Sequence, residues 1–461
     1  MLERAAYDDL VAGFRWRIPA RFNIAAACCG RWAATAPDRP AIVEADADGR
    51  VETVTFAALA RRAARLAHAL AGHGIGRGDT VAVLLPQSAD VIVTHLAAYS
   101  LGAVALPLAT AFGTDAIAFR LADAGAAVLV TTAAEAVRTE ALRATLPLRL
   151  VVTVDGPGPG AIPLSVLTER ASDELAIADT GPDDPALLIY TSGTTGPPKG
   201  ALHGHRVLLG HLPGVELQHE FPPQPGDRLW TPADWAWAGG LLNVVLPGLC
   251  LGLPVVAFAT TKFDPERAFA LMADLEVRNA FLPPTALRIM RAAPPPRRRP
   301  VLRTVGSAGE ALGAETFAWG REAFGVPVNE FYGQTECNAV IASCAGIGVS
   351  RVGATGRPVP GHDVVLIDGD GRPVPPGTPG EIAVRRPDPV MFLGYLNRPD
   401  ATAAKFRGDL MTTGDAAVMD EDGYIHFIGR TDDLITSAGY RIGPGEIEDC
   451  LAGHPAGRLA A

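Results

Sequence analysis

The chain has 461 residues, 48% of them hydrophobic and 20% charged, with a net charge of −10. That length calls for two or three subdomains rather than one simple core, and the acidic balance argues against broad nucleic-acid binding. The six cysteines (Cys28, Cys29, Cys250, Cys337, Cys344, Cys450) include no C-x-x-C pair, and Met1-Leu2-Glu3-Arg4 lacks the basic-then-apolar start of a signal peptide. Reduced thiols and a cytoplasmic setting are the expectation.

Strand-like runs alternate with helical patterns. Thr80–Leu85 reads as a strand, Ser88–Leu101 as an amphipathic helix, Ala103–Leu106 as a strand, Thr114–Ala124 as a helix and Ala127–Thr131 as a strand. Leu187-Leu188-Ile189-Tyr190 is a short buried strand that runs straight into Thr191-Ser192-Gly193-Thr194-Thr195-Gly196-Pro197-Pro198-Lys199-Gly200. The glycines Gly193, Gly196 and Gly200 let backbone N–H groups turn toward an anion. Thr191, Ser192, Thr194 and Thr195 add hydroxyl donors, and Lys199 adds a mobile positive charge. This is the chemistry of a polyphosphate cradle, although its G-x-x-G-x-x-K-G spacing is not that of a Walker A loop.

No charge occurs from Trp235 to Thr261, a run long enough to cross a bilayer. Gly239, Gly240, Pro247, Gly248, Gly252 and Pro254 punctuate it, so a buried helix, a turn and a strand ending in Val255–Phe258 are expected, and no membrane span. The alternation then resumes. Asp264–Leu275 reads as a helix, Val277–Leu282 as a strand and Pro284–Arg291 as a helix. Leu302–Gly306 follows as a strand, Ala314–Phe324 as a helix and Val328–Phe331 as a strand. The basic cluster Arg297-Arg298-Arg299 sits among prolines and reads as a solvated connector. Such alternation implies an α/β fold of helix-covered, mostly parallel sheets, whose ligands sit at the carboxyl ends of strands. The cradle, the turn after Gly306 and the turn after Phe331 all lie at such ends and are expected to share one crevice.

From about Arg357 the pattern turns β-rich and barrel-like, with strands at Asp363–Asp368, Glu381–Arg386 and Gly423–Ile428 and a turn at Asp368-Gly369-Asp370-Gly371. Gly443–Leu451 reads as a last helix, with Pro444 early and Glu446 and Glu448 in its first turns. The expected division is a large N-terminal domain over 1–430, its β-rich subdomain at about 357–430, and part of a small α+β domain over 431–461.

Several short segments carry chemistry. In Tyr332-Gly333-Gln334-Thr335-Glu336, Glu336 offers a hard oxygen ligand suited to Mg²⁺ beside phosphates, and Thr335 a hydroxyl donor. Thr413-Gly414-Asp415 sets a carboxylate after a tight turn, fit to hold a ribose diol. Gly429-Arg430-Thr431-Asp432-Asp433 and Ser437–Gly443 read by themselves as a charged turn and a glycine-bearing hairpin.

The order of these segments, with Ser307-Ala308-Gly309-Glu310-Ala311-Leu312 between them, resembles the AMP-forming acyl-CoA synthetase family, the adenylate-forming superfamily, over about residues 20–455. The resemblance implies a two-step reaction with ATP, Mg²⁺ and coenzyme A: a small-molecule carboxylic acid becomes an acyl-adenylate, then a CoA thioester. It implies that the 191–200 loop with Lys199 holds the β- and γ-phosphates. Ser307 to Glu310, Gly309 included, would flank the adenine and acyl sites. Thr335 would touch the α-phosphate and Glu336 bind Mg²⁺. Asp415 and Arg430 would grip the ribose hydroxyls. Asp432 would act as the hinge of a small C-terminal domain, Gly439 would lie near the pantetheine tunnel and Arg441 near phosphate. The region around Trp230, Trp235 and Trp237 resembles the acyl-pocket segment of medium-chain and aromatic members. Gly333 stands where acetate-specific relatives carry tryptophan, which implies a deeper slot. With no cation in the 230–240 stretch, the expected substrate is a medium-chain or branched fatty acid or an aryl acid. A homo-oligomer is compatible with all of this.

The family's C-terminal domain also brings a lysine between the substrate carboxylate and the α-phosphate, whereas no lysine follows Lys405 here. The expectation is therefore that this polypeptide binds ATP and acid but adenylates poorly. Two other readings stand beside the synthetase: a non-catalytic ATP- or acyl-binding derivative, and an amino-acid adenylation domain.

Overall fold

The computed structural model describes residues 2–143, 145–174, 176–191, 197–260 and 262–431, and the backbone of Ile435–Ser437 and Tyr440–Ile442. Among them, three sheets carry the architecture. The first takes the order Gly394–Tyr395, Lys199–Gly204, Pro185–Thr191, Val104–Pro107, Thr80–Leu84, Ala126–Thr131, Leu150–Thr153, Ile162–Pro163. Its middle strands are parallel and buried on both faces, which is why they read as unbroken Val/Leu/Ala runs. At one edge the direction reverses: Pro185–Thr191 and Lys199–Gly204 form an antiparallel hairpin with Tyr190 opposite Gly200 and Thr191 opposite Lys199.

The second sheet runs Arg357–Pro358, Cys337–Ala342, Val328–Gln334, Thr304–Ser307, Asn279–Phe281, Leu229–Trp230, Val255–Phe258, Pro40–Ala45, Val51–Thr55. Four of its strands, from Leu229–Trp230 through Val328–Gln334, are mutually parallel and end on the same side. The third sheet is antiparallel: Val364–Ile367, Gly380–Arg385, Leu410–Met419 and Phe406–Arg407, with Ile425–Arg430 also on Leu410–Met419. It is the β-rich unit expected after Arg357.

Two expectations change in detail. The helix Ala89–Ser100 is not amphipathic: every residue except Asp90 is buried. It is sandwiched between a sheet and the helix Phe56–Gly72, and Asp90 escapes by pairing with Arg62 at 2.6 Å. The charge-free run becomes a helical stretch of three short pieces, Ala238–Gly240, Leu241–Val245 and Leu246–Cys250, then the strand Val255–Phe258. No helix among the described residues is long and apolar enough to cross a membrane. The helix expected at Gly443–Leu451 lies outside the described residues.

One ion pair fastens the helix Val207–Gln218 to the second sheet through the chain that leaves it. Arg303 meets the fully buried Asp227 carboxylate in a fork at 2.7 and 2.8 Å and also donates to the carbonyls of His219 and Glu220. Removing one partner of such a pair strands the other charge away from water. Asp227→Ala should therefore cost about 3–5 kcal/mol, read as a lower urea midpoint. A midpoint equal to that of the unmodified protein would show that the pair is not structural.

Candidate functional site

The strand Val328–Gln334 turns back at Thr335-Glu336 into Cys337–Ala342. Glu336 is carried into a buried position on that turn, where its Oε1 accepts a hydrogen bond from the Tyr395 hydroxyl. Tyr395 belongs to a segment that bonds both neighbours: Phe392 N–H donates to the Glu336 carbonyl (2.9 Å) and Leu396 N–H to the Gly200 carbonyl (2.8 Å). The face of the same phenol ring meets Lys199, whose Nζ lies 4.8 Å from the ring centroid, a cation–π distance. Burial, and then the Glu336 charge, push the Tyr395 hydroxyl far above its ordinary range. It stays a protonated donor, so one ring holds the Lys199 cation and the Glu336 anion apart in one place. No carboxylate among the described residues pairs with Lys199 Nζ, and the Thr335 hydroxyl is likewise uncommitted there.

Beside this turn lies a second buried anion. Asp415 accepts from the Tyr332 hydroxyl and from Gln334 Nε2 (3.3 Å), and Arg430 Nη1 approaches its other oxygen at 3.2 Å. Asp415 and Arg430 are directly opposed across two antiparallel strands. Gly414 is required between them: its φ is +79°, and a Cβ there would meet Arg430 Nη2 at 3.0 Å. Lys405 closes the assembly, donating to Gln334 Oε1 (2.9 Å) and to the Thr412 (3.1 Å) and Thr413 (3.4 Å) carbonyls. Desolvation raises the Asp415 carboxyl above its ordinary 3.8, against the opposing pull of Tyr332 and Arg430.

Ser307 ends the neighbouring parallel strand in register with Glu330, two residues before Tyr332. Its hydroxyl donates to the Leu282 carbonyl at 2.8 Å. Gly309 follows with φ +103°, and Glu310 is exposed and tied to Thr285 and Arg288. This segment sits beside the Asp415 cluster through the sheet.

Three calls change. Gly333 does not open a slot: a Cβ there would lie 2.3 Å from the Ala339 nitrogen, because the bulged hairpin folds its own backbone over that position. Gly200 serves close packing on Leu188 and Tyr190, whose atoms would lie 2.9 and 3.1 Å from its Cβ, rather than anion-facing backbone. Trp235 is buried in the core, whereas Trp237 is 63% exposed, so the two do not form one pocket wall. Ser192, Gly193, Thr194, Thr195, Gly196, Asp432 and Gly439 lie outside the described residues, and of Arg441 only its strand backbone is described.

Sequence reasoning missed Tyr395 and Lys405 as site residues. Neither falls in a recognisable motif, and each reaches the site through contacts distant in sequence. Tyr332 and Gln334 were within the quoted turn, but nothing in the sequence pointed them at Asp415.

A family model described as "AMP-binding enzyme" matches residues 29–396. The chain belongs to that family. The AMP-binding enzyme is 31% identical over 455 residues to "Acyl-coenzyme A synthetase ACSM2, mitochondrial" of Rattus norvegicus, covering 95% of this chain and 78% of that protein. It is 30% identical over 424 residues to the "Uncharacterized acyl--CoA ligase YtcI" of Bacillus subtilis, covering 91% and 79%. Among solved structures it resembles an acyl-CoA synthetase of Brucella canis (TM-score 0.84, 33% identity, 98% of this chain and 84% of that one). It also resembles the anthranilate CoA ligase AuaEII in complex with anthranoyl-AMP (TM-score 0.88, 26% identity, 96% and 84%). The AMP-forming acyl-CoA synthetase branch implied by the motifs is thus the one its relatives occupy, and ATP, Mg²⁺ and coenzyme A are the cofactors of that branch.

Two outcomes follow for this AMP-binding enzyme. Lys405→Met should weaken ATP binding by about 10- to 100-fold, the worth of charged hydrogen bonds that position Gln334 and Asp415, measured by calorimetry with circular dichroism confirming the fold. Unchanged affinity would remove Lys405 from the site. The raised Asp415 carboxyl protonates at higher pH than an ordinary aspartate, so the part of ATP affinity that needs the carboxylate is present above that raised value and lost as pH falls through it. Its contribution to stability runs the other way: the folded state binds this proton more tightly than the unfolded one, so acid relieves the burial cost. ATP titrations from pH 4 to 8 should show an acid limb that Asp415→Asn abolishes; a limb that survives the substitution belongs to another group.

Proposed function

We propose that the chain activates a medium-chain fatty acid or an aryl acid, and that the cluster of Lys199, Tyr395, Glu336, Gln334 and Asp415 is the seat of the acyl-adenylate. The observation that carries this is the meeting of three sheets at one place: Lys199, with no carboxylate partner among the described residues, an uncommitted Thr335 hydroxyl and the buried Glu336 at the end of the second sheet, and the buried Asp415 on the antiparallel sheet. In this proposal Lys199, with Thr191 and the loop that follows it, neutralises the outer phosphates. Thr335 donates to the α-phosphate, where charge builds during attack. Asp415 and Arg430 hold the ribose diol, and Ser307 to Glu310 border the adenine and the acyl group. Arg441 near phosphate, Asp432 as hinge and Gly439 at the pantetheine path belong to the same proposal, as do the domain limits at 430 and 431.

The donor set suits Mg²⁺. Glu336 is a single buried carboxylate with one oxygen already oriented by Tyr395, and no cluster of three metal-ligating side chains occurs among the described residues. Mg²⁺ is commonly held in just this way, by one or two carboxylates together with substrate phosphates and water. When bound it would offset phosphate charge. The protein's own work is orientation: Tyr395 aims Glu336, and Lys405 and Gln334 aim Asp415.

Size selectivity rests on other grounds than Gly333. Support comes from the apolar rings Phe281 and Phe331, 5.4 Å apart between centroids, beside Ser307, and from similar structures named as anthranilate and benzoate CoA ligases. The five described cysteines are buried free thiols, in keeping with a reducing cytoplasmic setting.

The test has two arms: acid-dependent pyrophosphate release over C2–C12 and aryl acids, and thioester formation from synthetic acyl-AMP and coenzyme A. Medium-chain or aryl acids should exceed acetate at least tenfold in the first arm, the second should yield the thioester, and Thr335→Ala should lower pyrophosphate release by about 10²–10³. Preference for acetate, or for an amino acid without thioester formation, would contradict the proposal.

A further inference from the structure

The helix Val207–Gln218 ends on a glutamine that has no exposed surface. Its backbone is fixed, because Asn329 Nδ2 donates to the Gln218 carbonyl at 3.0 Å. Its side chain is not: among the described residues, neither Oε1 nor Nε2 has a hydrogen-bond partner. A buried amide with both ends unpaired destabilises the fold, and a leucine of similar volume would not carry that cost. The amide lies over Gly306, with Oε1 3.2 Å from the position a Cβ would take there and the Phe331 ring 3.6 Å from the same point. Any side chain at 306 would press on it. Gly306 is paired in register with Phe281 on one side and Asn329 on the other, and Phe281 in turn crowds the bare face of Gly239 at 3.2 Å. The unpaired amide therefore packs against Gly306, one residue before Ser307, and lies near the Phe331 ring, with Phe281 on the adjacent strand.

We infer that Gln218 is a specificity-determining residue, and that the acid this enzyme prefers carries a hydrogen-bonding substituent, a hydroxyl or an amino group, on the part of the acyl group remote from its carboxylate. This rests on the acyl site proposed above for the segment at Ser307. A hydroxyl matches the amide in both senses: it accepts from Nε2–H and donates to Oε1. The flat Phe331 ring beside it, with the Phe281 ring 5.4 Å away between centroids, favours a planar group. A site built around a buried amide also discriminates strongly against an analogue that leaves the amide unpaired.

The experiment uses the full chain and non-hydrolysable sulfamoyl-adenosine mimics of the acyl-adenylate, so it needs no turnover. Calorimetry compares the benzoyl mimic with its three monohydroxy isomers, and the hexanoyl mimic with its 6-hydroxy form. At least one hydroxylated mimic should bind about tenfold or more tightly than its parent. Gln218→Leu and Gln218→Met should erase that ratio while the unsubstituted mimics bind as well or better and the melting temperature holds or rises. Equal affinity for hydroxylated and plain mimics, or a ratio that survives both substitutions, overturns the inference and leaves the acyl-adenylate site standing. Failure of every mimic to bind, with ATP still bound, overturns the acyl site itself and the inference with it.

Discussion

Asp415 is a carboxylate withdrawn from water, and a charge so placed must be met by donors from whatever packs around it. Here the donors come from three places: Tyr332 and Gln334 on the end of the second sheet, Arg430 on the adjacent antiparallel strand, and Lys405 acting through Gln334. The three places are well separated in sequence. The need to satisfy one buried anion thereby ties the antiparallel unit to the parallel sheet and fixes the Thr335-Glu336 turn between them. Apolar contacts by themselves would not specify the orientation of the two layers as finely.

The same economy recurs one step away. Tyr395 uses its hydroxyl for Glu336 and its ring for Lys199, so a single side chain holds opposite charges at a fixed spacing without letting them neutralise each other. A direct Lys199–Glu336 ion pair would compete with ligand binding. The phenol avoids that competition, because burial keeps it protonated. The site is therefore organised before any ligand arrives, the condition under which donors stabilise developing charge most effectively.

The parallel strands Thr80–Leu84 and Ala126–Thr131 were legible because burial on both faces leaves an unbroken apolar run. The cradle, the Thr335-Glu336 turn and Thr413-Gly414-Asp415 were legible as chemistry because their residue types are unusual outside phosphate and sugar sites. What could not be read was anything that depends on where a side chain points. Gly333 looked like missing bulk, but whether a glycine leaves space depends on what fills the Cβ position, and the fold fills it with its own hairpin. Trp237 looked like a pocket wall beside Trp235, yet in the turn that leads into a short helix the two face solvent and core respectively. Tyr395, Lys405 and Gln218 carry no local signature at all. Their roles arise from contacts between residues far apart in the chain, which composition and periodicity do not record.

The central claim is that Asp415 and the Lys199–Tyr395–Glu336 group bracket one nucleotide. A crystal structure with a bound non-hydrolysable acyl-adenylate mimic tests it most directly. The ribose hydroxyls should lie within hydrogen-bond distance of the Asp415 carboxylate and the phosphate-mimicking group beside Thr335. A mimic seated instead in the open groove of about 1330 Å³ between Trp16, Arg386 and Phe406, with Asp415 untouched, would contradict it.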